Sequence, residues 1–512
     1  MAKTPSDKLY RLIHGLSPAE KRYFRIFIRG KTDRESKYLQ LFEAIDAQAV
    51  FDETALQTKI YKNRKPEGKK FSELKGYLYD LVLKSLQNFD ENQSVEGRIS
   101  QYLLSLEALN KRGHYADCLD LLQKAERLAV RYELFSQQLE ILRWKKQIAY
   151  TRIDVDFLYK NLDQLNFEEN LVLERLQNLA TYRQAFFEIY LSIKKDAQNR
   201  NENPGGRLRE LIQSDLFEGI ASAKSHKARV YYLRGLNLAH YAALEYEAFY
   251  ESGKNLIALL ESQPHFLELS LSDYIAALSN HLLASGLLHK YEEVEECLHK
   301  FRRLRPITED DRRKIHRQYY SSYFAFSIYM GKFEEARLEI ARCQADAAEI
   351  DPKTYETTSF LLQFCIIAFG CNDYNAALDY LNQWTARPRT VEREDLQSIL
   401  RVVALIIHYE MQNWALLESL LRSATRFMQK KNRLFDLERR FMQFIQESLR
   451  APGNRERQDA FRKMKADLQT LAQQAGTRAL LQTFDLEAWL DAKIKGISFS
   501  EATRLKTMND ER

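Results

Sequence analysis

Apolar residues recur at three- and four-residue steps along most of the chain, a pattern that predicts helices almost throughout. Six stretches repeat one arrangement: GHYADCLDLLQKA (113–125), EAFYESGKNLIAL (247–259), HKYEEVEECLHKF (289–301), GKFEEARLEIARC (331–343), NDYNAALDYLNQW (372–384) and QNWALLESLLRSA (412–424). Each has an aromatic, a small or aliphatic residue three on, an apolar residue four further, and another apolar or small residue three beyond. The aromatics are Tyr115, Phe249, Tyr291, Phe333, Tyr374 and Trp414. The last five recur at a nearly constant step of about 41 residues, as successive units of a repeat do. Positions three, seven and ten after the aromatic share a helical face. Each aromatic is therefore expected to open the second helix of an antiparallel pair and to be largely buried. An apolar run such as SDYIAALSNHLLASGLL (272–288) supplies the first helix. One pair cannot cover its own apolar faces, so neighbouring pairs must stack into an array.

Two stretches break the rhythm. Residues 165–198 read as one long helix followed by a loop at NRNENPGGR (199–207), and RAPGNRE (450–456) interrupts the pattern before a last hairpin. FDLEAWLDAKIKG (484–496) reads as a capping helix, and TRLKTMNDER as a frayed end. The expected division is a basic helical head (1–92), a first hairpin with long helices (93–200), a repeat array with its cap (201–496) and a frayed tail (497–512).

The head is expected to hold five helices, near 5–14, 17–29, 35–46, 52–62 and 71–88, the last three in the order of a helix-turn-helix unit. In GLSPAEKRYFRIFIRG (15–30), Ser17 can cap, Pro18 takes the first helical position and Glu20 can close a capping box. Lys21, Arg25 and Arg29 then recur every four residues, with Arg22 beside them, and KNRKPEGKK (62–70) adds Lys62, Arg64, Lys65, Lys69 and Lys70. Residues 1–90 carry 18 basic against 12 acidic residues, so the whole +6 excess of the chain lies there. Three readings stay open for this surface: a solvated face, contact with nucleic acid, or contact with an acidic protein or membrane surface.

Composition narrows the class. Only 17 Gly and 9 Pro punctuate 512 residues, which favours long helices over a strand-rich fold. The longest apolar runs, such as VVALII (402–407), fall far short of a membrane span, and no secretory signal pattern is visible at the start. Five scattered cysteines fit reduced thiols in a cytoplasm. No phosphate-cradling Gly loop, His-Glu-x-x-His or paired-Cys spacing occurs, and His240, His281 and His408 lie in first helices, where packing histidines are the expectation. No catalytic residue, metal ligand or cofactor is therefore expected.

The hairpin pattern resembles the tetratricopeptide repeat, whose turn and second helix read Gly-x-Tyr-x-x-Ala-x-x-x-(Tyr/Phe)-x-x-Ala. Gly113, Tyr115 and Ala125 match it, as do Gly331, Phe333 and Ala336. The step departs from the family's, being longer by about one helical turn in each helix. The family's Trp and Leu-Gly marks are also missing from the first helix. The head resembles the N-terminal segment of helical-repeat proteins of Bacteroidota-type bacteria, through Ser-x-x-Glu-Lys-Arg-Tyr-Phe. The resemblance implies an all-α, right-handed α-solenoid with an N-terminal helical bundle, whose concave wall is built from first helices and holds a peptide or helix of a protein partner. The first-helix positions that face inward in the family, counted back from Phe249 and Phe333, fall on Arg234, Asn237, Tyr241, Gln318 and Ser321. The floor around them is apolar and includes Leu283, Leu362 and Ile366. A non-catalytic interaction scaffold is the expectation. The alternative is a nucleic-acid-associated regulator that contacts DNA or RNA through residues 1–90. The oligomeric state is left open.

Overall fold

The computed structural model describes residues 7–29, 36–61, 68–91, 94–198, 212, 214–350, 360–386, 391–430, 436–471 and 484–510. Among them the chain forms 23 α-helices and three short 3-10 turns, with no strand. It divides into two compact units, one of residues 1–235 with 262–269, the other of residues 236–261 with 270–512.

The first unit opens with the five expected head helices, Lys8–His14, Pro18–Arg29, Lys37–Asp46, Glu53–Tyr61 and Gly68–Glu91. They close around a core that includes Ile13, Phe24, Phe42, Phe71 and Val82. The capping box at the second helix forms as its sequence requires. The Ser17 amide donates to Glu20 Oε2 at 2.6 Å, and the Glu20 amide donates back to Ser17 Oγ at 3.3 Å. Helices Val95–Asn110, Tyr115–Arg131, Phe135–Thr151 and Val155–Gln198 follow, each packed on the next. The long helical pattern therefore begins at residue 155; the stretch 199–207 lies outside the described residues.

In the second unit successive helices pack pairwise: Leu271–Leu287 with Tyr291–Arg303, Glu309–Tyr329 with Phe333–Ile350, Phe360–Gly370 with Tyr374–Thr385, and Val391–Glu410 with Trp414–Lys430. First helices also pack on first helices, 309–329 lying between 271–287 and 360–370.

One turn joins these pairs. Gly113, Glu133, Ile153, Leu244, His289, Gly331, Asn372 and Gln412 all have positive φ. Each stands two residues before a helix that begins at Tyr115, Phe135, Val155, Tyr246, Tyr291, Phe333, Tyr374 or Trp414. After each, the next amide donates to the carbonyl five residues back at 2.8 to 3.1 Å, the bond that ends a helix in a Schellman turn. Only two of the eight positions are glycine, although an L side chain there costs about 1–2 kcal/mol. Some side chains have other work: the Glu133 carboxylate accepts from the amides of His226 and Lys227 at 2.8 and 2.9 Å, capping the helix that starts there.

This turn corrects two expectations. The helix near the second anchor starts at Tyr246, so Phe249 lies three residues in, at the position held elsewhere by Cys118, Val294, Ala336, Ala377 and Leu417. Those +3 residues are buried in every hairpin, as are the +7 and +10 positions, so the apolar face is the one expected. The opening aromatics are less uniform. Phe333 is buried, Tyr115, Tyr291 and Tyr374 are half-buried, and Trp414 is 39% exposed. An aromatic at the first helical position lies over the turn, and neighbours there decide its burial. Trp414 meets the edge of Tyr409 at 5.3 Å, whereas the Phe333 ring lies flat on Gly370, where a Cβ would stand 2.2 Å from its Cγ.

Residues 499–510, expected within a frayed tail, form a helix. Helices Leu486–Lys495 and Phe499–Asp510 fold back along the turns of earlier hairpins. Trp489 Nε1 donates to Glu410 at 2.7 Å, Arg504 Nε and Ser500 Oγ donate to the Gly331 carbonyl at 3.1 Å, and Thr507 Oγ1 donates to the Tyr329 carbonyl at 2.9 Å. Phe499 is buried among Phe333, Phe369 and Phe484, with ring centroids 5.2 to 5.5 Å apart.

Candidate functional site

The basic stripe of the head is split by its own acids. Lys21 Nζ lies 2.7 Å from Asp46, and the Arg25 guanidinium bonds Glu43 at 2.7 Å and Asp46 at 3.0 Å. The hydrogen bond to Glu43 leads the causes that hold Arg25 above its ordinary pKa. Two of the three residues at four-residue spacing therefore face the helix at 37–46. Arg22 and Arg29 stay exposed, as does Lys70. Lys62, Arg64 and Lys65 lie outside the described residues, as does the side chain of Lys69.

Of the five residues assigned to a concave wall, Arg234 belongs to the first unit and the other four to the second. Arg234 stacks over the rings of Phe186 and Tyr231, 4.4 and 5.5 Å from their centroids. Asn237 is 1% exposed. Its Nδ2 donates to the Phe249 carbonyl at 2.9 Å and to Ser252 Oγ at 3.1 Å, and its Oδ1 accepts from Asn280 at 3.0 Å. It is an interior bridge between helices and offers no open group to a partner. Tyr241 is exposed beside Phe249, while Gln318 and Ser321 are half-buried. The Ser321 carbonyl accepts from Gln363 Nε2 at 2.8 Å, at the seam between first helices. Of the expected floor, Leu362 and Ile366 are buried and Leu283 is partly exposed.

A better-formed hollow lies on the other side of helix 309–329, between it and helices 291–303 and 333–350. Thr308 and Asp311 form a capping box that starts this helix, Thr308 Oγ1 accepting from the Asp311 amide at 3.0 Å. The helix then presents Ile315, His316, Tyr319 and Tyr320 to a cavity of about 280 Å³. Phe301, Leu304 and Ile350 complete an apolar floor, and Arg302, Arg312 and Arg342 stand at the rim. Arg312 is paired with Glu349 at 2.8 Å and Arg342 with Glu339 at 3.0 Å. Arg302 differs. Its Nε donates to Tyr319 Oη at 2.6 Å, and burial pushes that phenol's pKa upward, so the guanidinium leans on a neutral partner. Tyr320 donates to Asp346 at 3.2 Å, and His316 Nε2 donates to the Cys343 carbonyl at 3.2 Å. Burial lowers the pKa of His316 and keeps it neutral. The chemistry of this hollow is recognition: a forked cation beside aromatic and aliphatic walls accepts a carboxylate attached to an apolar group.

A second cavity, of about 240 Å³, lies between helices 246–262, 271–287 and 291–303. It is more polar, and its charges close on one another. Lys300 pairs with Glu261 at 2.9 Å, Tyr274 donates to Glu261 at 2.5 Å, and Glu293 accepts from Tyr250 and meets His281 Nε2 at 3.2 Å. Burial pushes the Cys297 thiol up to about 12, far from a reactive thiolate.

Neither hollow is legible in the sequence, because each is assembled from helices of successive hairpins. The available signal is the dense run RRLRPITEDDRRKIHRQYYSSYF, in which Arg312, Ile315, Tyr319 and Tyr323 fall on one face of helix 309–329. Among the described residues no group of three or more His, Cys, Asp or Glu side chains could hold a metal ion, and no helix is long and apolar enough to cross a membrane. Compared with known proteins, the chain matches no protein-family model, no curated protein and no solved structure.

Proposed function

We propose that the protein is a non-catalytic interaction scaffold, a right-handed solenoid of long tetratricopeptide-like hairpins, acting in the cytoplasm. The recurring Schellman turn and the buried +3, +7 and +10 positions support the repeat reading. Its ligand is a short segment of a partner protein that carries a carboxylate next to an aromatic or aliphatic side chain. The observation that carries this reading is Arg302, a guanidinium on a neutral phenol at the lip of an apolar hollow. A carboxylate arriving there gains a charge-assisted bond from a guanidinium whose own hydrogen bond is to a neutral phenol and which Glu339 stabilises only through space.

Selection of random peptides on the full-length chain tests this. Enriched peptides should share an acidic residue or free C-terminus beside an apolar side chain. They should lose at least about tenfold in affinity on Arg302→Ala together with Tyr319→Phe, a loss of about 1.4 kcal/mol. Peptides that bind this variant equally well would sink the assignment. Duplex DNA or structured RNA bound with a steep salt dependence would transfer the function to the head. The pairing of Lys21 and Arg25 with Glu43 and Asp46 weighs against that alternative.

A further inference from the structure

The helix Val155–Gln198 buries one face in its own unit, through Leu165, Val172, Tyr182, Ala185, Phe186 and Ile189. A second set of positions runs from 155 to 190 in alternating steps of four and three, the spacing of a coiled-coil seam. None of its eleven residues is fully buried, although Leu176 packs in part on the unit's own core and Lys146 bonds Asn166 and Glu169 at 2.9 and 2.6 Å. Most are large and apolar, with Tyr159 at 91% and Phe187 at 52% exposure. A helix of this kind covering about 53 Å exposes far more contiguous apolar surface than isolated surface residues do.

From 159 to 190 the large apolar positions of the seam mirror one another, while Val155 has no counterpart within it. Folded about a point between Glu174 and Arg175, Leu173 falls opposite Leu176, Glu169 opposite Ala180, Asn166 opposite Arg183, Leu162 opposite Phe187 and Tyr159 opposite Tyr190. Apolar meets apolar in three layers and polar or small residues meet in the other two. That self-complementarity is what a two-fold interface between identical helices requires. Charge points the same way. Residues 155–174 hold five acidic and one basic residue, and residues 175–193 hold two basic and one acidic. Glu169 and Glu174 are already paired with Lys146 and Lys224 of their own chain. The other acids, Asp156, Asp163 and Glu168, meet the basic half of the second helix in an antiparallel pair and meet each other in a parallel one.

We infer that two copies of this chain pair antiparallel through helix 155–198, with a two-fold axis between Glu174 and Arg175. The pairing supercoils left-handedly, because a seven-residue repeat drifts by about 20° per heptad on a straight helix. A stable interface buries about 800 Å² per partner, and the main contributors here are the three aromatic side chains of each copy.

Sedimentation of the full-length chain tests the inference. The wild type should run as a dimer at about 10 µM, and Leu162→Glu with Phe187→Glu should run as a monomer with an unchanged far-ultraviolet dichroism spectrum. Cysteine crosslinking reads the orientation. Tyr159→Cys combined with Tyr190→Cys should form a covalent dimer on mild oxidation, while either single variant should not. The two sites are about 46 Å apart along one helix, so no bond within one chain competes. A wild type that stays monomeric overturns self-pairing and leaves the seam to a different helical protein. A dimer that survives the double glutamate variant places the interface elsewhere and overturns the pairing through this helix. Single-cysteine variants that crosslink as well as the pair would overturn the antiparallel arrangement.

Discussion

Helices 155–198 and 333–350 are both amphipathic, yet their apolar residues meet different ends. In helix 333–350 the residues at 333, 336, 340, 343 and 347 are all buried within the chain. In helix 155–198 one apolar set is buried, and a second, at coiled-coil spacing, is left largely exposed apart from Leu176, which packs in part on the core. Periodicity alone reports that a face is to be covered; it does not say by what. The local neighbours say more. Phe333 has a backbone pressed against its ring at Gly370 and the Phe499 ring 5.5 Å away. Phe187 has its neighbour Phe186 at 5.4 Å and is otherwise half open to solvent.

The comparison breaks most sharply by truncation. Phe333→Ala should cost about 3–5 kcal/mol of folding stability, measured by denaturant unfolding. Phe187→Ala, measured at a protein concentration low enough to keep the chain monomeric, should change it by less than about 0.5 kcal/mol. Equal losses would mean that the outward face is interior after all. Gly370→Ala should cost about 1–3 kcal/mol, since the added methyl displaces the Phe333 ring. Combining it with Phe333→Ala should lose clearly less than the two separate losses together, because the smaller side chain makes room for the methyl.

A pH-dependent change is expected at Glu438, which is buried and whose Oε2 has no hydrogen-bond partner among the described residues. Burial raises its pKa from 4.5 to about 7. The folded state then holds a proton that the unfolded chain has released, so stability falls as pH rises from about 4.5 and levels off above about 7. Glu438→Gln should therefore stabilise the protein at about pH 8, by up to about 3 kcal/mol, with the gain disappearing near about pH 4. A pH-independent effect would show that this carboxyl is solvated.

The smallest effects belong to the turns. Ile153 is a β-branched residue at φ 56° and is largely exposed. Ile153→Gly should raise stability by about 1 kcal/mol through relief of left-handed strain. Gly331→Ala should do the reverse, and by more than Gly113→Ala. At 331 an added Cβ would also stand 2.8 Å from Arg504 Cγ, whereas nothing lies within 4 Å at 113. Equal effects at the two glycines would mean that helix 499–510 does not dock there.

How much of this was legible depended on distance along the chain. The second-helix starts at Tyr115, Tyr291, Phe333, Tyr374 and Trp414 were readable, since turn, aromatic and small residue fall within one local pattern. The slip at Phe249 arises because this helix carries aromatics at both its first and fourth positions, Tyr246 and Phe249, and the residue pattern alone does not choose between them. The docked end escaped because its anchors are distant along the chain: Phe499 among three rings, and hydrogen bonds from Ser500, Arg504 and Thr507 to carbonyls of an earlier hairpin turn. The pairing of Lys21 and Arg25 with Glu43 and Asp46, and the interior bridge made by Asn237, follow from which helices meet. The Arg302 hollow has the same origin. Spacing within one helix carries none of that.

Hydrogen–deuterium exchange of the full-length chain, at two protein concentrations about a hundredfold apart, bears most directly on the difference between the two helices. The expected result is protection that rises with concentration in peptides from 155–193 and is unchanged in those from 333–350. Concentration-independent exchange in both helices would contradict it.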